Sequence, residues 1–239
     1  SALKHVDAVY NPAASEGGAR TESLEGLVER APATFKHRGR AVSVEDVIYL
    51  TKEASRKIRK VKVLSGSDEE GNRVPGLMTV VIVPDLPDPK PAPTTETLQI
   101  VETYLKERTP NIGKLKVAGP VYYQVNVSAE LATTDLEAVS EIETRVKRRV
   151  EEFLHPLTGG TEGKGWDFGP TLSTSDFYSL LSDISGVSYV KDLDITSKAK
   201  NETSEKSPEP SGRLTLPIST LPCSGKHEIR VFWKAEREE

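Results

Sequence analysis

Apolar residues recur along this chain in two rhythms, every second position in some stretches and every third or fourth in others. Leu3, Val6 and Val9 amid polar neighbours read as an interior strand, which makes the chain look like a fragment of a longer polypeptide. Asn11 to Gly18 is small, polar and glycine-bearing, hence a loop. Leu24, Leu27 and Val28 within Thr21 to Glu29 then predict a short helix, ended by Pro32. Ser43 and Asp46 have the spacing of a capping box and open a helix with Val47, Ile48, Leu50 and Ala54 inward. That helix gives way to alternation at Ile58, Val61 and Val63, a polar turn from Ser65 to Val74, and the apolar run Leu77 to Val83, which predicts a central strand. Prolines at 84, 87, 89, 91 and 93 impose an extended arm that delivers the chain to Thr94 or Thr95 as the next helix cap. Leu98, Val101 and Leu105 mark the buried face of that helix, and Leu115 to Ala118 follow as a strand.

A second cycle starts after Gly119-Pro120. Tyr123, Val125, Val127, Ala129 and Leu131 alternate with polar residues, so one face of that strand is wet. Asp135 is placed to cap a helix in which Leu136, Val139, Ile142, Val146, Val150 and Phe153 recur at helical steps. A glycine-rich loop, His155 to Gly169, precedes a second capping pattern at Ser173 to Asp176 and a helix bearing Phe177, Leu180 and Leu181, closed by Gly186. Val187 to Ile195 reads as a strand. Ser197 to Gly212 carries only charged, small and proline residues and reads as a flexible loop; an apolar turn, Leu216 to Leu221, and a final strand, Ile229 to Trp233, follow.

The expected class is therefore α+β, with two or more small α/β subdomains, each a short mixed sheet on one or two helices. Residues 1–40 would be the end of an upstream domain with a linker and short helix. Residues 41–120 and 121–196 would be the first and second α/β subdomains, 197–213 the flexible loop and 214–239 a C-terminal strand segment.

Composition narrows the chemistry. Over 239 residues, 36% hydrophobic and 28% charged residues imply modest cores, and a net charge of −4 gives no global basic field for nucleic acid or anionic membrane. One cysteine, Cys223, excludes an internal disulfide and is expected as a buried free thiol. No run is long enough to span a bilayer and the first twelve residues lack a signal peptide's pattern, which predicts synthesis in the cytoplasm.

Catalytic and ligand signals are sparse. The glycines before Lys164 resemble a phosphate cradle, but Gly165 stands where a P-loop needs Ser or Thr and a helix precedes instead of a strand. A phosphate- or nucleotide-binding enzyme using Gly159 to Gly165 is the alternative this leaves. His5, His37, His155 and His227 lack metal-pair spacing, so no metal or cofactor is expected. Cys223 and His227 lie four apart in an extended segment, Asp85 with Asp88 suits turn chemistry, and Asp192 with Asp194 suits a wet strand face. Two basic clusters, Arg56 to Lys62 and Arg145 to Arg149, could meet nucleic-acid phosphates, yet both sit where cations complement a helix dipole and neither has interleaved aromatics. Trp166 and Phe168, on an irregular loop, either plug a small core or anchor a partner.

Seven segments in chain order resemble the baseplate J-like family, in its branch of baseplate assembly proteins of contractile tails. They are Asn11-Pro-Ala-Ala14 with Gly17, Gly18 and Glu22; Arg38 to Asp46; Val80 to Pro84; Phe153 to Gly160; Gly165 to Gly169; Gly186 to Val190; and Leu221 to His227. The resemblance covers about Asn11 to Trp233 and implies a non-enzymatic structural subunit of a phage-tail or tail-like baseplate. It implies a stack of small α/β subdomains that contact other baseplate proteins and copies of themselves, with no catalytic residue, cofactor, small-molecule substrate or membrane role. His155, Trp166, Phe168 and Arg40 are the interface candidates on this reading.

Overall fold

The structure, a computed structural model, describes residues 24–109, 113–135, 139–199 and 206–233. The chain forms two compact units, residues 1–38 and 39–239. In the first, the described part is one helix, α1 (Leu24–His37). Pro32 lies inside α1 and does not end it, contrary to the sequence expectation. A proline costs an interior helix one hydrogen bond, but Ala31, Ala33 and the residues beyond propagate the turn. The stop comes at Arg38 and Gly39, both in the left-handed region (φ 48° and 73°). The strand expected at Leu3 to Val9 and the loop at Asn11 to Gly18 lie outside the described residues.

In the second unit, α2 (Val44–Ala54) begins with the capping box foreseen from Ser43 and Asp46. The Asp46 N–H donates to Ser43 Oγ at 3.1 Å, and the Ser43 N–H donates to Asp46 Oδ2 at 2.8 Å. β1 (Ile58–Ser67) and β2 (Arg73–Pro84) form an antiparallel hairpin, and α3 (Thr95–Arg108), capped by Thr94, crosses over to β3 (Lys114–Ala118), which lies parallel to β2. The order β1-β2-β3 makes β2 central, as its nearly continuous apolar run leads one to expect. Val80 and Ile82 pack under Val47, Leu50, Val101 and Leu105, and the Ala41 N–H ties the approach to α2 onto the Arg108 carbonyl at 2.9 Å.

The second sheet has β4 (Val121–Thr133) at its centre, antiparallel to β6 (Tyr189–Ala199) and parallel to β8 (Thr220–Trp233). α4 (Val139–Phe153) and α5 (Thr174–Ser182) cover it, and a short ladder, β5 (Thr171–Ser173) with β7 (Arg213–Thr215), completes three sheets among the described residues. The fold is α+β, as expected. Ile142, Val146, Val150 and Phe153 bury α4's apolar stripe on Val125, Val127, Ala129 and Leu131. Each such side chain contributes about 1.5–3 kcal/mol of burial before ordering entropy is charged.

Three local expectations change. The flexible loop foreseen from Ser197 starts later: β6 runs through Ala199, Ser197 is fully buried, and its backbone exchanges two 2.8 Å hydrogen bonds with Lys206. The last strand begins at Thr220, not Ile229. A bulge at Asn126 explains why periodicity hid its first half: Asn126 Oδ1 accepts the Lys226 N–H at 2.9 Å, and a Cβ on Gly225 would stand 2.2 Å from that oxygen. Ser173 starts α5, but its hydroxyl pairs with Ser175 at 2.7 Å instead of capping the helix. Leu136, beside the Asp135 cap expected for α4, falls outside the described residues.

Candidate functional site

The loop after α4 is wound tightly on itself. His155 Nδ1 accepts the N–H groups of Leu157 (3.3 Å) and Thr158 (3.2 Å) and lies 2.9 Å from the Thr158 hydroxyl, which makes the imidazole a cap for the turn. The N–H of Gly159 donates to the His155 carbonyl, that of Gly160 to Phe153 and that of Gly165 to Gly159, each at 2.8 Å, while Gly163 donates to Gly160 at 3.3 Å. A Cβ on Gly159 would sit 2.1 Å from the Phe153 oxygen, and one on Gly165 (φ 80°) 2.5 Å from the Leu157 carbonyl carbon. Glycine is what lets the backbone close on itself here.

That geometry bears on the phosphate reading. A phosphate cradle needs loop N–H groups aimed at a ligand, and these four are spent inside the loop. Lys164 extends into solvent and pairs with Glu162 at 2.9 Å. The shallow cavity beside it, about 330 Å³, is lined by Arg149, Glu152, Thr158 and Gly160, and its Arg149 faces Glu152 at 3.8 Å.

Trp166 and Phe168 turn inward. The Trp166 indole N–H donates to the Phe153 carbonyl at 2.8 Å, and its ring meets Phe153 edge-on at 5.3 Å, which in turn meets Phe177 at 5.1 Å. Phe168, Trp166 and Tyr122 flank a small buried cluster of Val83, Leu157 and Leu221, where the end of β2 meets the start of β8. Lys60 of β1 reaches across to donate to the Trp166 carbonyl. Burial, opposed by Asp167, holds the Lys60 ammonium below the ordinary lysine pKa. Tyr122 closes the same seam by donating to the Pro91 carbonyl at 2.8 Å, and burial pushes its phenol up. Trp166, Phe168 and His155 thus belong to one loop, whereas Arg40 is exposed at the approach to α2, beside exposed Val42 and Val44.

The other candidates resolve locally. Cys223 is buried, donates to the Tyr123 carbonyl at 3.4 Å, and has its pKa raised by burial to about 11. His227 pairs with Ser224 Oγ (2.8 Å) and not with Cys223. Its Nδ1 is buried with no partner among the described residues, and burial, helped by Lys147, lowers its pKa to about 4. The Ser224 pairing was invisible in sequence, because only the bulge brings the two side chains together. Asp88 accepts the Lys90 N–H, and Asp192 is exposed on β6. On α4, Arg145 binds Glu141 and the Ser185 carbonyl, and Arg148 binds Glu152. Among the described residues no three His, Cys, Asp or Glu side chains are gathered as a metal site, and no helix is long and apolar enough to cross a membrane.

No family model matches the sequence, and no curated protein matches it. A solved chain does. The fold is shared with a chain of the anti-feeding prophage (AFP) baseplate, solved by cryo-EM with 6-fold symmetry. The two align with a TM-score of 0.60 at 15% identity, over 87% of this chain and 42% of that one. This chain therefore spans less than half of the AFP baseplate chain's length.

Proposed function

We propose that this chain is the C-terminal portion of a baseplate J-like subunit of a contractile phage tail or phage-tail-like injection particle, and that it acts by protein–protein assembly around the hub. The observation that carries the reading is the fold shared with the AFP baseplate chain over 87% of the residues. Several glycines of the segments that resemble the family stand where a Cβ would crowd a neighbour, although Gly39 stands in open space. A Cβ on Gly169 would lie 2.6 Å from Ile218 Cα, and one on Gly186 would lie 2.9 Å from Ile142 Cδ1, as with Gly159, Gly165 and Gly225.

On this reading the partners are other baseplate proteins and further copies of the chain, and no covalent chemistry is involved. The surfaces offered are Arg40 with exposed Val42 and Val44, and the polar rim of the 155–169 loop, whose shape His155, Trp166 and Phe168 maintain. Antibody labelling of purified particles from producing cells tests the reading. Labelling at the baseplate end is expected, and particles lacking the chain overturn it.

A further inference from the structure

α1 presents an apolar stripe to solvent. Leu24, Val28, Ala31 and Phe35 follow one another at steps of four, three and four residues, the d-a-d-a spacing of a helix-pairing seam. Leu24 is 72% exposed, Val28 65% and Phe35 80%; Leu27, beside them, is also exposed. Fourteen residues of helix are marginal in water without packing, so the exposed stripe calls for a cover.

The sequence of the helix indicates which cover. Glu25 and Glu29 fall in its first half, Arg30 follows them, and Lys36 and His37 form its last turn with Arg38 just beyond. Two copies laid antiparallel set the acidic end of each against the basic end of the other, whereas a parallel pair stacks like charge on like. The stripe is also self-complementary in that orientation. Antiparallel seams match a with d, so bulky Leu24 meets bulky Phe35 of the second copy and Val28 meets the small Ala31, and a two-fold axis relates both contacts.

We propose that α1 is a self-association helix, pairing antiparallel with α1 of a second copy of this chain. This deepens the assembly reading above by naming a partner and a surface. Two heptads make a short seam, so the pair is weak in dilute solution and gains strength where neighbours hold copies close.

Disulfide trapping on the full 239-residue chain tests the pairing. Leu24→Cys and Phe35→Cys variants, mixed under mild oxidation, should form a mixed dimer about tenfold faster than either forms with a Gln99→Cys control exposed on α3. Each variant alone should stay monomeric, since like positions are far apart in an antiparallel pair. Val28→Asp placed in both variants, with circular dichroism unchanged, should abolish the mixed dimer. Cross-linking no faster than the control, or self-linking of the single variants, overturns the proposal. Absent cross-links leave the baseplate reading standing, and particles without the chain leave the pair standing, so the two failures are distinguishable.

Discussion

Trp166 is the side chain whose removal tells most about how the two sheets are joined. Truncating it to alanine deletes three contributions: its edge-on contact with Phe153, worth about 0.5–1.5 kcal/mol; its hydrogen bond to the Phe153 carbonyl, worth about 0.5–1.5 kcal/mol; and part of a half-buried ring's apolar area. A fully buried tryptophan costs about 3–5 kcal/mol when cut to alanine, and half-burial scales the expectation to about 1.5–2.5 kcal/mol. Urea unfolding measures it as a drop in midpoint at unchanged slope. For a chain of this size the melting temperature should fall by roughly 3–10 °C. Trp166→Phe separates the parts, because it keeps most of the ring and loses the N–H, and should cost about 1 kcal/mol. The only other tryptophan, Trp233, is half-exposed at the end of β8, so a Trp233→Phe background lets fluorescence report Trp166 alone. An alanine variant within about 0.5 kcal/mol of the parent would refute the seam argument and return Trp166 to the surface.

Gly165→Ala must move the Leu157 backbone and should cost more than about 2 kcal/mol, whereas Gly39→Ala, with a similar φ but open space around its Cβ, should cost about 1–2 kcal/mol; equal losses by urea unfolding would contradict the packing. His227, with its folded pKa lowered to about 4, favours the proton-free folded state, so its contribution to stability is present above the unfolded value of 6.5 and is lost as pH falls from there towards 4. Its ring resonance should stay in the neutral position at pH 5, and a midpoint at 6 or higher would refute this. Cys223, raised to about 11, should react with a thiol reagent at pH 8 only after denaturation, and the stability it lends the fold should be lost as pH rises from about 9 to 11; rapid stoichiometric labelling of the folded chain would contradict its burial.

Sequence periodicity reached the parts of the fold that local rules govern. The Ser43–Asp46 box, the central position of β2 and the stripe of α4 each express a pattern completed within one element. It missed in two places, one local and one set by a tertiary contact. Pro32 forecast a helix end that the chain ignores, and Pro222 and Gly225 masked the first half of β8, whose bulge makes sense only beside Asn126. The site followed the same division. Trp166 and Phe168 stood out as large aromatics on a loop, but the residues they join, Val83, Leu157, Leu221 and Lys60, come from distant segments that no spacing rule connects.

The parallel partnership of β8 with β4 also sets a clock on biosynthesis. Cys223 and Tyr123, which touch across it, are 100 residues apart, so the middle strand of the second sheet waits with one flank open until translation has passed Trp233. A ribosome that stalls before then releases a polypeptide lacking a third of that sheet, with the Tyr123 carbonyl and its neighbours bare. Such a product carries an unpaired strand edge, the feature that makes an incomplete chain prone to aggregation.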